Sequence, residues 1–280
     1  MSKFTEALHS DWTQEFSISE QLFQTTLAEQ ELTFFNNQRW GRVFTINGTI
    51  QTTERDEFVY HEMMAHVPLF AHPNPIAVAV IGGGDGGIIR EVAKHQSISR
   101  IEMCELDSTI LDLCNEYLPN HNAGSFSDKR LRVNINDGCK WLSQQPDNSF
   151  DVIISDCTDP IGPGENLFTS DFYYHASRCL RDHGVFVAQN GVCFLQEDEI
   201  TTTHRRLQPY FDKVGFYFAT VPTYIGGQLA FAYGTKGNID IRSPQITGEW
   251  VKNLQYYNKE IHTAAFAVPN NIVKILKINK

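Results

Sequence analysis

Residues 76–87 read IAVAVIGGGDGG, an apolar run followed by a glycine-rich loop that contains one acid, Asp85. Glycines after a buried strand let the backbone approach a ligand closely, and a following helix presents free N–H groups with partial positive charge. Loops of this kind usually bind phosphate, but a carboxylate repels phosphate and attracts a cation. The stretch therefore predicts a strand and loop for an adenosine-type ligand that carries positive charge and no pyrophosphate.

From residue 76 onward, short apolar segments alternate with segments of helical periodicity. Strands are predicted near residues 76–81, 101–105, 131–136, 150–156, 184–189, 214–219 and 228–233. Helices are predicted near residues 88–95, 108–118, 138–145, 170–181 and 196–210. This alternation is typical of an α/β fold, in which helices cover both faces of a mostly parallel sheet. Ligands of such sheets bind at the carboxyl ends of the strands, near the switch in strand order.

The first 60 residues are β-rich and lack this alternation. Asn47-Gly48 between two apolar segments is a strong signal for a two-residue hairpin turn. Another strand is predicted at 32–35, with a turn at Asn36 and Asn37. We therefore expect a small N-terminal β-hairpin domain at residues 1–60 and a Rossmann-like catalytic domain at residues 61–280.

The connection between these two parts contains a helical segment and several prolines. Residues 54–67 have helical periodicity, and Pro68, Pro73 and Pro75 predict a connector before the first apolar strand.

Composition narrows the class of protein. The chain has 280 residues, of which 41% are hydrophobic, and a formal net charge of −10, which disfavours nucleic acid as a partner. No apolar stretch is long enough to cross a bilayer, and residues 1–20 lack the features of a signal peptide. No pair of cysteines has C-x-x-C spacing. The expectation is a globular protein of the cytoplasm without a membrane partner.

Acidic residues follow several of the predicted strands. They are Asp85, Glu105, Asp137, Asp156 and Asp159. Any one of them could simply cap a helix or a turn, but crowded carboxylates repel one another unless cations neutralise them. The cation could be a metal, a basic side chain or an organic amine. Few histidines are near these positions and residues 156–168 contain no basic residue, so an amine ligand is favoured, with magnesium second.

Three further patterns have a functional and a plain alternative. The glycines 82, 84 and 87 match the dinucleotide fingerprint, with Glu105 placed to bind ribose, but Asp85 argues against pyrophosphate. His61 and His66 resemble a zinc-protease motif, but their spacing of five residues puts them on different faces of a helix. Residues 159–165, rich in proline and glycine, are either a cover over the ligand or a plain connector.

Three motifs together resemble the polyamine aminopropyltransferase family, and within it the bacterial spermidine synthases. They are residues 51–63, QTTERDEFVYHEM, residues 81–87, IGGGDGG, and residues 156–165, DCTDPIGPGE. Residues 222–227, 256–258 and 261–266 extend the resemblance over nearly the whole chain.

The resemblance implies a methyltransferase-like Rossmann domain, a homodimer or homotetramer, and transfer of an aminopropyl group from decarboxylated S-adenosylmethionine to putrescine. The donor is then a co-substrate, and neither a cofactor nor a metal is expected. By position, the residues that contact the methylthioadenosine part are Gln30, Glu105, Asp137, Gly138 and Pro163. Those that hold the aminopropyl and diamine groups are Tyr60, His61, Asp85, Asp159 and Tyr224.

Asp156 matches the family's proton acceptor, and the chemistry gives it that task for a physical reason. A primary amine has a pKa near that of lysine, about 10, so at neutral pH it is mostly an ammonium without a free electron pair. A carboxylate can take its proton while Tyr60 orients the nitrogen. The runner-up function is a methyltransferase, followed by a nicotinamide-dependent dehydrogenase and an inactive polyamine-binding regulator. An acidic glycine loop disfavours the methyltransferase, because it would repel the carboxylate of S-adenosylmethionine.

Overall fold

The structure is a computed structural model that describes residues 2–27, 30–158 and 162–277. Its described strands form a seven-stranded sheet, a four-stranded sheet and a two-stranded ribbon. The predicted α/β class, with a β-rich N-terminal part before a Rossmann-like sheet, is confirmed.

The N-terminal part of the chain consists mostly of strands. These are β1 (Lys3–Thr5), β2 (Glu15–Ser17), β3 (Glu20–Leu27), β4 (Gln30–Asn37), β5 (Gly41–Ile46) and β6 (Thr49–Thr53). Asn47 and Gly48 have φ angles of 50° and 74°, as a two-residue turn of type I′ requires, so the predicted hairpin is confirmed. The turn expected at Asn36 and Asn37 was placed too early. Both asparagines still pair with β5, and the turn occupies residues 38–40.

Helix α1 (Glu57–Ala71) joins this part to the larger sheet and is buried along almost its whole length. It continues past Pro68, where we expected a connector. Proline removes one hydrogen bond of a helix, but packing around the whole helix outweighs that loss. The carbonyl of Pro68 accepts the N–H of His72 at 3.0 Å, which completes the last turn.

The seven-stranded sheet contains every strand predicted after residue 76. Its strands are β7 (Ala77–Gly82), β8 (Arg100–Glu105), β9 (Leu131–Ile135), β10 (Phe150–Asp156), β11 (Leu180–Val192), β12 (Lys213–Ala219) and β13 (Leu229–Thr235). Their order is β12-β13-β11-β10-β7-β8-β9. The pairs β11–β13 and β12–β13 are antiparallel, and the other pairs are parallel. The strand order therefore reverses between β7 and β10, which is where such sheets bind ligands.

Helices cover both faces of this sheet. They are α2 (Gly87–Ala93), α3 (Ser108–Tyr117), α4 (Pro119–Asn122), α5 (Gly138–Ser143), α6 (Ser170–Cys179), α7 (Glu197–Leu207), α8 (Lys259–Ala265) and α9 (Asn270–Ile275). Within β10, Val152 and Ile154 pack into a core with α1 and α2, whereas Ile153 packs into a second core with α5, α6 and α7. Alternate side chains of one strand thus fill two apolar layers, as expected of a sheet that is buried on both faces.

Residue 60 lies within α1. The proposed division into residues 1–60 and 61–280 stays a prediction. Among the described residues, no helix combines the length and the apolar character that a membrane crossing needs.

Candidate active site

The site is built around the point where β7 and β10 end side by side. Gly82 pairs directly with Asp156 in the parallel register of these strands. A Cβ atom at Gly82 would overlap the carbonyl oxygen of Asp156, and its φ of 81° also favours glycine. A glycine is therefore required for the glycine loop to pass close to Asp156.

Asp156 is held by a tyrosine from helix α1. The hydroxyl of Tyr60 donates a hydrogen bond of 2.5 Å to Oδ1 of Asp156, and the Tyr60 side chain is buried. Burial and the nearby charge of Asp85 raise the pKa of Asp156 to about 6, although the positive charge of His61 and the hydrogen bond from Tyr60 oppose the rise. Asp156 is thus ionised at neutral pH and is a stronger base than an exposed aspartate.

Asp85 has partners of its own within the protein. Its Oδ1 accepts the N–H of Gly87 at 2.8 Å at the start of α2, and its Oδ2 lies 3.1 Å from Nε2 of His61. Burial alone would raise the pKa of Asp85, but the charge and hydrogen bond of His61 outweigh it and hold the pKa well below its usual range. One histidine does lie at these acids, because α1 brings His61 to the loop from another part of the sequence.

Glu105 and Asp137 lie at the ends of β8 and β9, the next strands along the sheet. The Oε1 of Glu105 accepts the N–H of Leu106 at 2.7 Å, and burial raises the pKa of Glu105 to about 7. Asp137 caps α5 through the N–H of Lys140 at 2.8 Å, and Gly138 is the first residue of that helix. These acids thus follow adjacent strands of one sheet edge, while Asp137 also has the capping role that any single acid could have.

Tyr224 reaches the site from the segment between β12 and β13. Its ring centroid lies 6.2 Å from that of Tyr60, and its hydroxyl donates to the carbonyl of Gln51 at 2.5 Å. The N–H and the hydroxyl of the preceding Thr223 donate to Asp56, just before α1. These bonds fix the Tyr224 segment against β6 and the start of α1.

Three expected residues are less fully described. Gln30 is the first residue of β4, where it pairs with Leu27. Pro163 belongs to a short 3-10 helix at Gly162–Phe168, and Asp159 lies outside the described residues. The roles of Gln30, Pro163 and Asp159, and the cover expected at residues 159–165, stay predictions.

The two histidines of the zinc-like pattern have separate partners, as their spacing predicted. Nε2 of His66 lies 2.9 Å from Glu91, and its Nδ1 lies 2.9 Å from Nε2 of His95, in the buried interior. Within residues 2–27, 30–158 and 162–277, no group of three or more histidine, cysteine, aspartate or glutamate side chains is arranged to hold a metal ion.

Sequence reasoning missed two residues behind His61. Glu57 lies 2.5 Å from Nδ1 of His61, and Arg90 donates to both carboxylate oxygens of Glu57 at 3.1 and 2.8 Å. The spacing of Glu57 and His61, four residues apart on a predicted helix, was a usable signal for the first contact. No comparable signal existed for Arg90, which comes from the helix after the glycine loop.

Comparison with known proteins gives a consistent result. Residues 57–243 match the family described as spermine/spermidine synthase domain. A polyamine aminopropyltransferase of Sodalis glossinidius is 48% identical over 98% of this chain and 97% of its own. The polyamine aminopropyltransferase of Klebsiella pneumoniae is 51% identical over 94% of each chain.

Solved structures are similar along the same length. A crystal structure of a spermidine synthase in complex with the transition-state analogue AdoDATO has a TM-score of 0.93 and 36% identity, covering 99% of this chain and 96% of the other. The spermidine synthase of Thermotoga maritima has a TM-score of 0.90 and 34% identity, covering 99% and 95%.

Proposed function

We propose, from the premise that the chain belongs to the spermine/spermidine synthase family and is an aminopropyltransferase, that it transfers the aminopropyl group of decarboxylated S-adenosylmethionine to putrescine. The products are spermidine and methylthioadenosine. The observation that supports this most directly is the pair of Tyr60 and Asp156 beside an acidic glycine loop at the switch in strand order. A base therefore lies next to the loop that would hold a cationic donor.

The donor is a sulfonium, so its leaving group is a neutral thioether. Neither a general acid nor a metal is needed to expel it. We propose that Glu105 binds the ribose hydroxyls, since it ends the strand next to the glycine loop. We further propose that Asp137, Gly138, Gln30 and Pro163 contact the rest of the methylthioadenosine part.

The attacking amine has to lose a proton. In the proposed reaction the carboxylate of Asp156 takes that proton, the nitrogen forms a bond to the carbon next to sulfur, and the carbon–sulfur bond breaks with its electron pair passing to sulfur. Tyr60 orients the carboxylate through its hydrogen bond. Holding the two substrates in line also lowers the activation free energy, by about 7–11 kcal/mol in favourable cases.

The ends of the substrates carry ammonium groups that need acidic or polar partners. We propose that Asp85, held by His61, faces the amine of the aminopropyl group, and that Asp159 and Tyr224 face the far amine of the diamine. Asp85 also disfavours ordinary S-adenosylmethionine, whose extra carboxylate it would repel. Location in the cytoplasm and assembly as a homodimer or homotetramer belong to the same proposal.

One incubation series tests the proposal. The protein is mixed with decarboxylated S-adenosylmethionine and, separately, putrescine, cadaverine or spermidine, and the products are identified by mass spectrometry. We expect methylthioadenosine and spermidine, with putrescine the best acceptor. The same amines with ordinary S-adenosylmethionine are the control. Methylated products there, with no methylthioadenosine in the first series, would make the protein a methyltransferase instead.

A further inference from the structure

A chain of charged groups, each with at most 16% of its side chain exposed, lies behind the glycine loop. It runs from Asp85 through His61 and Glu57 to Arg90, and we refer to these four side chains as the charged chain. Each member contacts the next through nitrogen and oxygen atoms 2.5–3.1 Å apart. Signs alternate along it, so its formal charges sum to zero when His61 is protonated.

His61 lies between two carboxylates, and this fixes its protonation. Its Nδ1 is 2.5 Å from Glu57 and its Nε2 is 3.1 Å from Asp85. A neutral imidazole has one N–H donor, so it would direct a lone pair at one of the two carboxylates. Only an imidazolium donates to both. In agreement, burial would lower the pKa of His61, but Asp85 and Glu57 outweigh it and raise the pKa to about 10.

Arg90 connects α1, which carries Glu57 and His61, to the start of α2, which follows the glycine loop. Its guanidinium donates to both carboxylate oxygens of Glu57, and it also donates to the carbonyls of Asn120 and His121 at 3.1 and 2.7 Å. Its Nε donates to Glu91 at 2.7 Å. A two-pronged bond of this kind fixes orientation as well as charge. The helix with His61 and the loop with Asp85 are therefore tied together at two points.

We propose that Glu57 and Arg90 are positioning residues that hold His61 doubly protonated and directed at Asp85, so that the glycine loop presents a fixed, charge-balanced carboxylate to the amine end of the donor. The part of this inference that concerns the donor rests on the proposed function. The part that concerns the protonation of His61 does not. The ring of His61 also faces other titratable groups, namely Tyr60, His121 and Asp156.

It follows that Asp85 and Asp156 have different tasks in the proposed reaction. His61 already balances part of the charge of Asp85, so the main task of Asp85 is to orient the donor amine. Asp156 has a tyrosine as its hydrogen-bond partner and no such countercharge in contact, among the described residues, so its negative charge is left to act on the attacking amine. Loss of Glu57 should therefore disturb donor binding more than acceptor binding.

The test is nitrogen NMR of the full-length protein labelled with ¹⁵N-histidine, with His61→Gln to assign the signal. We expect both ring nitrogens of His61 to be protonated at pH 8, and Glu57→Gln to move the titration to lower pH by about 1–3 units. Glu62→Gln is the matched control, because Glu62 is a buried carboxylate on the same helix that accepts the backbone N–H groups of residues 255–257. It should leave the His61 titration in place.

Kinetics with the same variants test the proposed effect of Glu57 on donor binding. We expect Glu57→Gln to raise KM for decarboxylated S-adenosylmethionine about tenfold while KM for putrescine and kcat change much less. A purely structural role would lower kcat for all substrates and leave both KM values alone. Arg90→Lys, which keeps the charge and loses the two-pronged bond, should show the same pattern more weakly and serves if Glu57→Gln folds poorly.

The two failures are distinguishable. An unshifted His61 titration in Glu57→Gln, or a neutral ring in the wild type at pH 8, overturns the charge arrangement whatever the enzyme does. A shifted titration with unchanged donor KM overturns the link to the donor. Absence of methylthioadenosine with the wild-type protein would instead contradict the proposed function and leave the NMR result standing.

Discussion

The hydroxyl of Tyr60 and Oδ1 of Asp156 lie 2.5 Å apart, and this hydrogen bond joins the fourth residue of a buried helix to the last residue of a central strand. It aims a carboxylate at the edge of the sheet and lowers the pKa that burial and Asp85 have raised. The bond thus sets both the direction and the basicity of the proposed proton acceptor.

Replacing Tyr60 by phenylalanine should move the acid limb of the pH profile. In the proposed reaction Asp156 acts in its ionised form, so kcat/KM should fall as the pH drops through about 6 in the wild type. Tyr60→Phe removes a bond that favours the ionised form, so the limb should shift upward by about 0.5–1 pH unit. Tyr217→Phe is the control, because that buried hydroxyl donates to the carbonyl of Met63 and lies outside the site. An unmoved or downward-shifted limb in Tyr60→Phe contradicts the role.

Asp85→Asn should weaken the choice between donors. In the proposed site Asp85 repels the carboxylate of S-adenosylmethionine, and asparagine would not repel it. Since His61 already balances part of that charge, we expect the ratio of affinities for the decarboxylated and ordinary donors to fall about tenfold. Calorimetry with both donors on both proteins gives the ratio. If the ratio is unchanged, discrimination arises elsewhere.

Gly82 and Gly124 form a matched pair for the close approach of β7 and β10. Both have positive φ, 81° and 84°, but only Gly82 lacks room for a Cβ atom. Gly124→Ala should cost about 1–2 kcal/mol of unfolding free energy and leave turnover intact. Gly82→Ala should cost more and reduce turnover strongly, because it displaces the backbone of Asp156. Urea unfolding and turnover of both variants check this, and similar results for the two would contradict it.

Asp56 is expected to be important for stability rather than chemistry. Its buried carboxylate accepts the hydroxyl of Thr53 at 2.6 Å and both the N–H and hydroxyl of Thr223 at 2.9 and 2.7 Å. Asp56→Ala leaves these donors unsatisfied and should lower the unfolding free energy by about 2–4 kcal/mol. The exposed Asp112→Ala should change it by less than about 0.5 kcal/mol. A loss as small as that of Asp112→Ala would show that water replaces the bonds of Asp56.

Much of the fold was predictable because its signals are local. The apolar run before Gly82, the hairpin at Asn47 and the alternation after residue 76 each depend on neighbours in sequence, and the structure has them within a few residues. The rim of acids followed from one topological rule, that parallel strands end at the same edge.

What the sequence could not supply depends on contacts between distant segments. The continuation of α1 past Pro68 is decided by packing on all sides of the helix, which periodicity does not measure. The pairing of His61 with Asp85 brings together residues on α1 and on the glycine loop. An acid in such a loop predicted a cation, but it could not tell a ligand's amine from an imidazolium of the protein.

The turnover of Asp156→Asn tests the central claim most directly, since the account gives this carboxylate the proton of the attacking amine. Methylthioadenosine formation is measured at pH 7 with saturating decarboxylated S-adenosylmethionine and putrescine, for wild type and variant. We expect the variant to be slower by about 10²–10⁴, the usual contribution of a general base, with its fold intact by circular dichroism. Near-normal turnover at pH 7 would contradict the account and remove Asp156 from the role of proton acceptor.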